Sequence, residues 1–158
     1  MHPKYGCLDL APETIQVPIL ASQFFRHDGV NAVVADASTG FYRLALSADT
    51  KIDGIVIVPK GMGAGTDANY WKSSATSGAD KLPMIPARKG YRFLLPGSTT
   101  VTQAMVGDLV DLTAVNDGTA TSVNLGASAT DIFIVDDLGT NVKANASASD
   151  VVVRVNKY

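Results

Sequence analysis

Of the 15 acidic residues in this 158-residue chain, Glu13 alone is a glutamate. Glutamate is a good helix former, whereas aspartate bonds to nearby backbone and so favours turns and caps. Val, Thr, Ala, Gly and Ser fill most of the remaining sequence. A chain of this make-up has little with which to build long surface helices. The expected class is all-β, as an antiparallel β-barrel or sandwich with many turns.

The placement of apolar runs and turn residues supports that class. Ile15–Leu20 reads as a short strand broken by Pro18, which suits a sheet edge. Val30–Ala35 and Phe41–Leu46 read as strands set off by His27-Asp28-Gly29 and Ser38-Thr39-Gly40. Ile52–Val58 reads as a buried central strand ended by Pro59. Gly90–Leu95 resumes strand character and stops at Pro96-Gly97, and Thr99–Met105 fits strand or turn. Leu109–Val115 alternates as a half-buried strand does, and Asn116-Asp117-Gly118 is a strong hairpin signal joining it to Thr121–Leu125. Ile132–Val135 and Val151–Val155 complete the set, with a turn expected at Asp137–Asn141. No repeat with a period of 20 to 50 residues is visible, which excludes solenoids and propellers.

Two segments lack this pattern. Residues 1–14, with Pro3, Gly6 and Pro12, are expected to form an extended N-terminal arm, either disordered or laid on a neighbouring chain. Residues 15–158 would form one domain containing a long loop over about residues 60–86, with a short helix near Ala68–Ser74. Long irregular segments inside a domain often serve binding.

Composition narrows the function classes. Charged residues are 18% of the chain, against about 25% in an average soluble domain. That is low for a lone monomer and suits a protein that buries surface against partners. The net charge of -2 argues against direct nucleic-acid binding. No apolar run approaches a membrane span, and the early residues do not read as a secretory signal. Cys7 is the single cysteine, so no intrachain disulfide can form. Charge is unevenly placed: Lys51–Arg92 carries seven basic residues, while Phe93–Val142 carries six aspartates and no Lys or Arg. Such halves can pair within a subunit, between subunits or with a partner.

The chemical motifs are weak. His2, His27 and Cys7 are too few and too scattered for a zinc site. Gly61-Met62-Gly63-Ala64-Gly65-Thr66 lacks the Gly-Lys-Ser/Thr of a phosphate loop and the third glycine of a dinucleotide fingerprint. The pairs Asp108/Asp111 and Asp136/Asp137 do not match a calcium loop. With two histidines and one glutamate, the acid–base repertoire is poor, and no enzyme, metal or cofactor is expected. The aromatic pair Tyr70-Trp71 beside Lys72 reads either as an interface or carbohydrate-stacking patch, or as a cap on the core beneath the long loop. Together with Tyr5, Arg88 and Arg92, these three residues form the candidate interface set.

The second half carries a resemblance. Ile85-Pro86-Ala87, the step Met105-Val106-Gly107-Asp108-Leu109-Val110-Asp111-Leu112, the run Asp131–Val135 and the ending Val-Val-Val-Arg-Val-Asn together resemble the small β-rich capsid decoration (cement) proteins of tailed bacteriophages. The resemblance covers Ile85–Tyr158, about half the chain. It implies a structural virion protein on the outer surface of the capsid, bound to the assembled major capsid protein and commonly a homotrimer. It carries over no catalytic residues. The alternative is a carbohydrate- or receptor-binding module of a phage tail or fibre, with Tyr70 and Trp71 at its surface. A small hydrolase ranks third, for want of a paired nucleophile and base.

Overall fold

The computed structural model describes residues 6–8, 13–27, 31–59, 62, 70–88, 90–118 and 122–158. In these the chain is almost entirely β: β1 (Gly6–Cys7), β2 (Ile15–Pro18), β3 (Phe24–Arg26), β4 (Ala32–Ala35), β5 (Tyr42–Leu44), β6 (Gly54–Val56), β7 (Tyr70–Lys72), β8 (Lys81–Pro86), β9 (Arg92–Pro96), β10 (Leu109–Thr113), β11 (Ser122–Asn124), β12 (Phe133–Leu138) and β13 (Asp150–Val155). One four-residue helical turn, α1 (Gly139–Val142), and a 3-10 turn at Gln103–Met105 are the helical segments among the described residues. No described helix is long and apolar enough to cross a membrane.

The strands form three antiparallel sheets, in the orders β1-β9-β13-β12-β10-β11, β2-β8-β6-β4-β5 and β3-β7. The all-β expectation holds, as a sandwich; no closed barrel is found among the described residues. Buried side chains from both large sheets, among them Ile55, Leu82, Phe93, Phe133 and Val153, belong to one apolar cluster.

The two large sheets repeat one topology. In chain order β2, β4, β5, β6 and β8 make one unit, and β9 to β13 make the other. In both, the first strand pairs with the fifth, the fifth with the fourth, the fourth with the second and the second with the third. The register repeats as well. Ile55 lies opposite Ala32 and Ile85, as Ile134 lies opposite Leu109 and Arg154. Loop bonds correspond: Val56 N–H to Asn31 C=O matches Val135 N–H to Asp108 C=O, both 2.9 Å. Apolar identities fall at equivalent places: Val33 and Val110, Leu44 and Leu125, Ile55 and Ile134, Val56 and Val135. Each unit also has one isolated parallel bridge from just beyond its first strand to its third, Ile19 to Tyr42 and Gly97 to Val123.

Two sequence expectations are corrected here. The long loop is shorter than 60–86, because Lys81–Pro86 is a strand inside the five-stranded sheet, and 70–72 is a strand where a helix was expected. Pro83 and Pro86 mark that stretch as irregular because proline cannot donate to a ladder. The structure places Pro83 one residue past the position opposite the last residue of β6, and Pro86 two residues past the position opposite the first residue of β2. Each missing N–H therefore falls where a neighbouring strand has ended. The described part of the N-terminal segment pairs within its own chain: Gly6 and Cys7 lie opposite Leu94 and Phe93 of β9, and Leu8 N–H donates to Arg92 C=O at 2.9 Å.

Candidate binding surface

The ribbon β3-β7 joins Phe24 to Lys72, Phe25 to Trp71 and Arg26 to Tyr70 across its two strands. Side chains alternate faces along a strand, so this register sorts the six residues into two layers. Phe25 and Trp71 point inward, 0% and 7% exposed, with rings stacked at 6.1 Å. Phe24, Arg26, Tyr70 and Lys72 make the outer layer. Phe24 and Tyr70 meet edge to face at 5.2 Å, and the Lys72 ammonium stands 5.0 Å from the Phe24 ring centroid. Such contacts stabilise by about 0.5–1.5 kcal/mol each.

The ribbon is held from both units. Asn31, fully buried, accepts from Arg26 N–H at 2.6 Å and donates to Arg26 C=O at 2.9 Å, as a neighbouring strand would. Asn116, in the β10–β11 hairpin, accepts from Phe24 N–H at 2.9 Å. Arg26 Nη1 donates to Gly118 C=O at 2.9 Å in the same hairpin. Gly118 has a φ of +85°, and a Cβ there would meet Tyr70 Cδ1 at 2.7 Å. The Asn-Asp-Gly turn thus serves twice, turning the hairpin and letting the Tyr70 ring lie on it.

The candidate interface residues sort as follows. Trp71 does not stand at a loop tip; its ring is buried on Phe25, so the core-cap reading describes it and it has no exposed face for stacking on a sugar. Tyr70 is half-buried and Lys72 exposed, and the structure brings these two together with Phe24. Arg88 is exposed and pairs with Glu13 at 3.4 Å. Arg92 lies on β9, 3.6 Å from Asp136, which also meets Arg154 at 3.4 Å. The basic and acidic segments therefore pair within one subunit at this point. Tyr5 and His2 lie outside the described residues. Sequence reasoning missed Phe24, Arg26 and Asn31; the alternation Phe24-Phe25-Arg26 beside a turn signal was the one clue available.

Three of the four aspartates weighed for calcium, Asp111, Asp136 and Asp137, are engaged elsewhere. Asp111, 7% exposed, accepts from the backbone N–H groups of Ala129, Thr130 and Asp131 at 2.8, 2.9 and 2.8 Å. Burial pushes its pKa up, but the N–H bonds from Asp131, Thr130 and Ala129 outweigh that and hold it below the ordinary 3.8. Asp49 is similar: burial raises it, while the two Arg43 bonds of 2.8 Å and the Leu46 N–H bring it lower overall. Asp137 accepts from Leu138 N–H and from Asn141. Among the described residues, no three His, Cys, Asp or Glu side chains are grouped to hold a metal ion.

A shallow groove of about 430 Å³ is lined by Gly107, Asp108, Leu109 and Leu125–Ser128. It opens beside the exposed apolar side chains of Val106 and Leu109. What the ribbon surface offers chemically is association: aromatic edges and two cations on a fixed frame. Comparison with known proteins finds no matching family model, no matching curated protein and no matching solved structure.

Proposed function

We propose that this chain is a structural virion protein that binds the assembled major capsid protein on the outer surface of a tailed-phage shell and stabilises it, as a homotrimer. The observation that carries the reading is the resemblance of Ile85–Tyr158 to capsid decoration proteins, whose pattern maps here onto β10, β12 and β13 of the six-stranded sheet. Two features support it. The outer layer Phe24, Arg26, Tyr70 and Lys72 suits contact with another protein, since aromatic and arginine side chains are the common anchors of interfaces. The low charge content suits a chain that buries surface in an assembly.

A ligand that binds only the assembled lattice shifts the equilibrium away from disassembly by mass action. Exposed ion pairs contribute about 0–1 kcal/mol each, so apolar and aromatic burial must supply most of the affinity. Cosedimentation of the purified chain with assembled shells and with unassembled capsid subunits tests the reading. Retention on shells only is the expected result, with Lys72→Glu weakening it about tenfold. Binding to a glycan array with no retention on shells would replace this reading with the tail-module alternative.

A further inference from the structure

We propose that the free edge of β2 pairs antiparallel with the same edge of a second copy of this chain, about a twofold axis that sets Ile15 opposite the partner's Ile15. The internal repeat points to it. Strand β2 in one unit corresponds to β9 in the other, with Ile15 equivalent to Phe93 and Gln16 to Leu94. The outer edge of β9 carries an added antiparallel strand, β1, and Phe93 and Leu94 are 0% and 1% exposed. The equivalent edge of β2 has no partner among the described residues. Ile15 is 43% exposed there, and Glu13, Thr14 and Gln16 are exposed beside it.

The edges of β5, β11 and β3 are engaged. Beyond β5, Tyr42 C=O accepts from Leu20 N–H and Leu44 N–H donates to the Gln23 side chain. Val123 C=O of β11 accepts from Ser98 N–H. Strand β3 is sealed by Asn31 and Asn116. Soluble proteins guard open edges with lysine, proline or bulges. β2 has the sequence Ile-Gln-Val-Pro, guarded only at its far end by Pro18.

The equivalence also fixes which groups face outward. Arg92 C=O accepts from Leu8 of β1, while Tyr91 C=O accepts from Val155 of β13. By correspondence Thr14 and Gln16 turn their N–H and C=O groups outward, and Ile15 and Val17 turn theirs toward β8. Ile19 N–H, next in that alternation, does donate to Asp80 C=O, which precedes β8. An antiparallel copy then sets Thr14 opposite the partner's Gln16 and Gln16 opposite the partner's Thr14, with two hydrogen bonds in each pair. Ile15 falls in the narrow pair between them, about 4.5 Å Cα to Cα. It already lies in the row Ile15-Met84-Val56, whose last two members are 2% and 0% exposed. Pairing would extend that apolar row across the axis. This contact does not depend on the capsid reading, and for a lone chain it forms a dimer.

Sedimentation equilibrium of the full chain, from micromolar to several hundred micromolar, tests it alongside Gln16→Pro and Ile15→Lys. Gln16→Pro deletes one outward N–H and leaves the β2–β8 bonds in place, and unchanged thermal unfolding checks its fold. Ile15→Lys keeps every backbone group and sets like charges across the axis. The wild type is expected to reach twice the mass of either variant, with Gln16 amide exchange slowing at least tenfold as concentration rises. Doubling lost in Ile15→Lys supports the proposal even if Gln16→Pro fails to fold. Equal masses for all three chains, or doubling that persists in a folded variant, overturns it.

Discussion

Pro18 and Pro96 hold the same place in two sheets. Each ends the first strand of its unit, opposite Lys81 and Asp150 respectively. The residue after each makes the parallel bridge to the third strand, and the next N–H, of Leu20 or Ser98, donates to that strand at 2.8 Å. Proline has no N–H to offer an outer neighbour at that point. The added strand must stop there, and the chain turns to meet its own third strand. The open half of β2 and the covered half of β9 are the two outcomes of that arrangement.

Asp111→Asn is expected to lower stability at neutral pH by about 2 kcal/mol, since charge-assisted bonds to three backbone N–H groups are weakened. The folded-state pKa is depressed, so this contribution is present above the ordinary carboxylate pKa and is lost as pH falls through the folded value. The gap between wild type and variant should therefore narrow below about pH 4. Thermal unfolding at pH 7 and pH 3 measures it, and a gap that widens at pH 3 would contradict the assignment.

Trp71→Ala should destabilise the isolated chain by about 3–5 kcal/mol, as expected for a large aromatic removed from a core. Urea denaturation of the purified protein reads this directly. A loss confined to shell binding, with the denaturation midpoint unchanged, would return Trp71 to the surface.

Gly54→Ala is expected to cost about 2 kcal/mol or more. A Cβ at Gly54 would stand 2.5 Å from Ile85 O and 2.5 Å from Met84 Cγ, and a backbone atom between two paired strands cannot swing aside. Gly126→Ala is the control, with Asn124 Oδ1 at 3.8 Å the one atom near its Cβ. Parallel thermal melts should show a clear drop for the first and little change for the second.

Asn31→Leu should cost about 2–3 kcal/mol, because it strands Arg26 N–H and C=O beside a fully buried site. It should also loosen β3. Faster amide exchange at Arg26, with Ile134 unchanged, would be the signature; uniform change across both sheets would show a global effect instead.

Strands and turns follow from short stretches of residues. One glutamate, runs of β-branched residues and the Asn116-Asp117-Gly118 turn specify antiparallel strands, because backbone preference and turn geometry act over a few residues. The hairpin β10–β11 and the edge position of β2 were legible for that reason. Which strands meet is set by long-range packing. Pro83 and Pro86 can sit in a strand only because β6 and β2 end where the prolines lack a donor. Trp71 is core because its register with Phe25 turns it inward, and a one-residue shift would have turned it out. The repeat is visible in pairing order while the aligned residues mostly differ, since many apolar sequences fill the same row of a sheet. Pairing joins residues far apart in the chain, and no local propensity encodes a choice of partner.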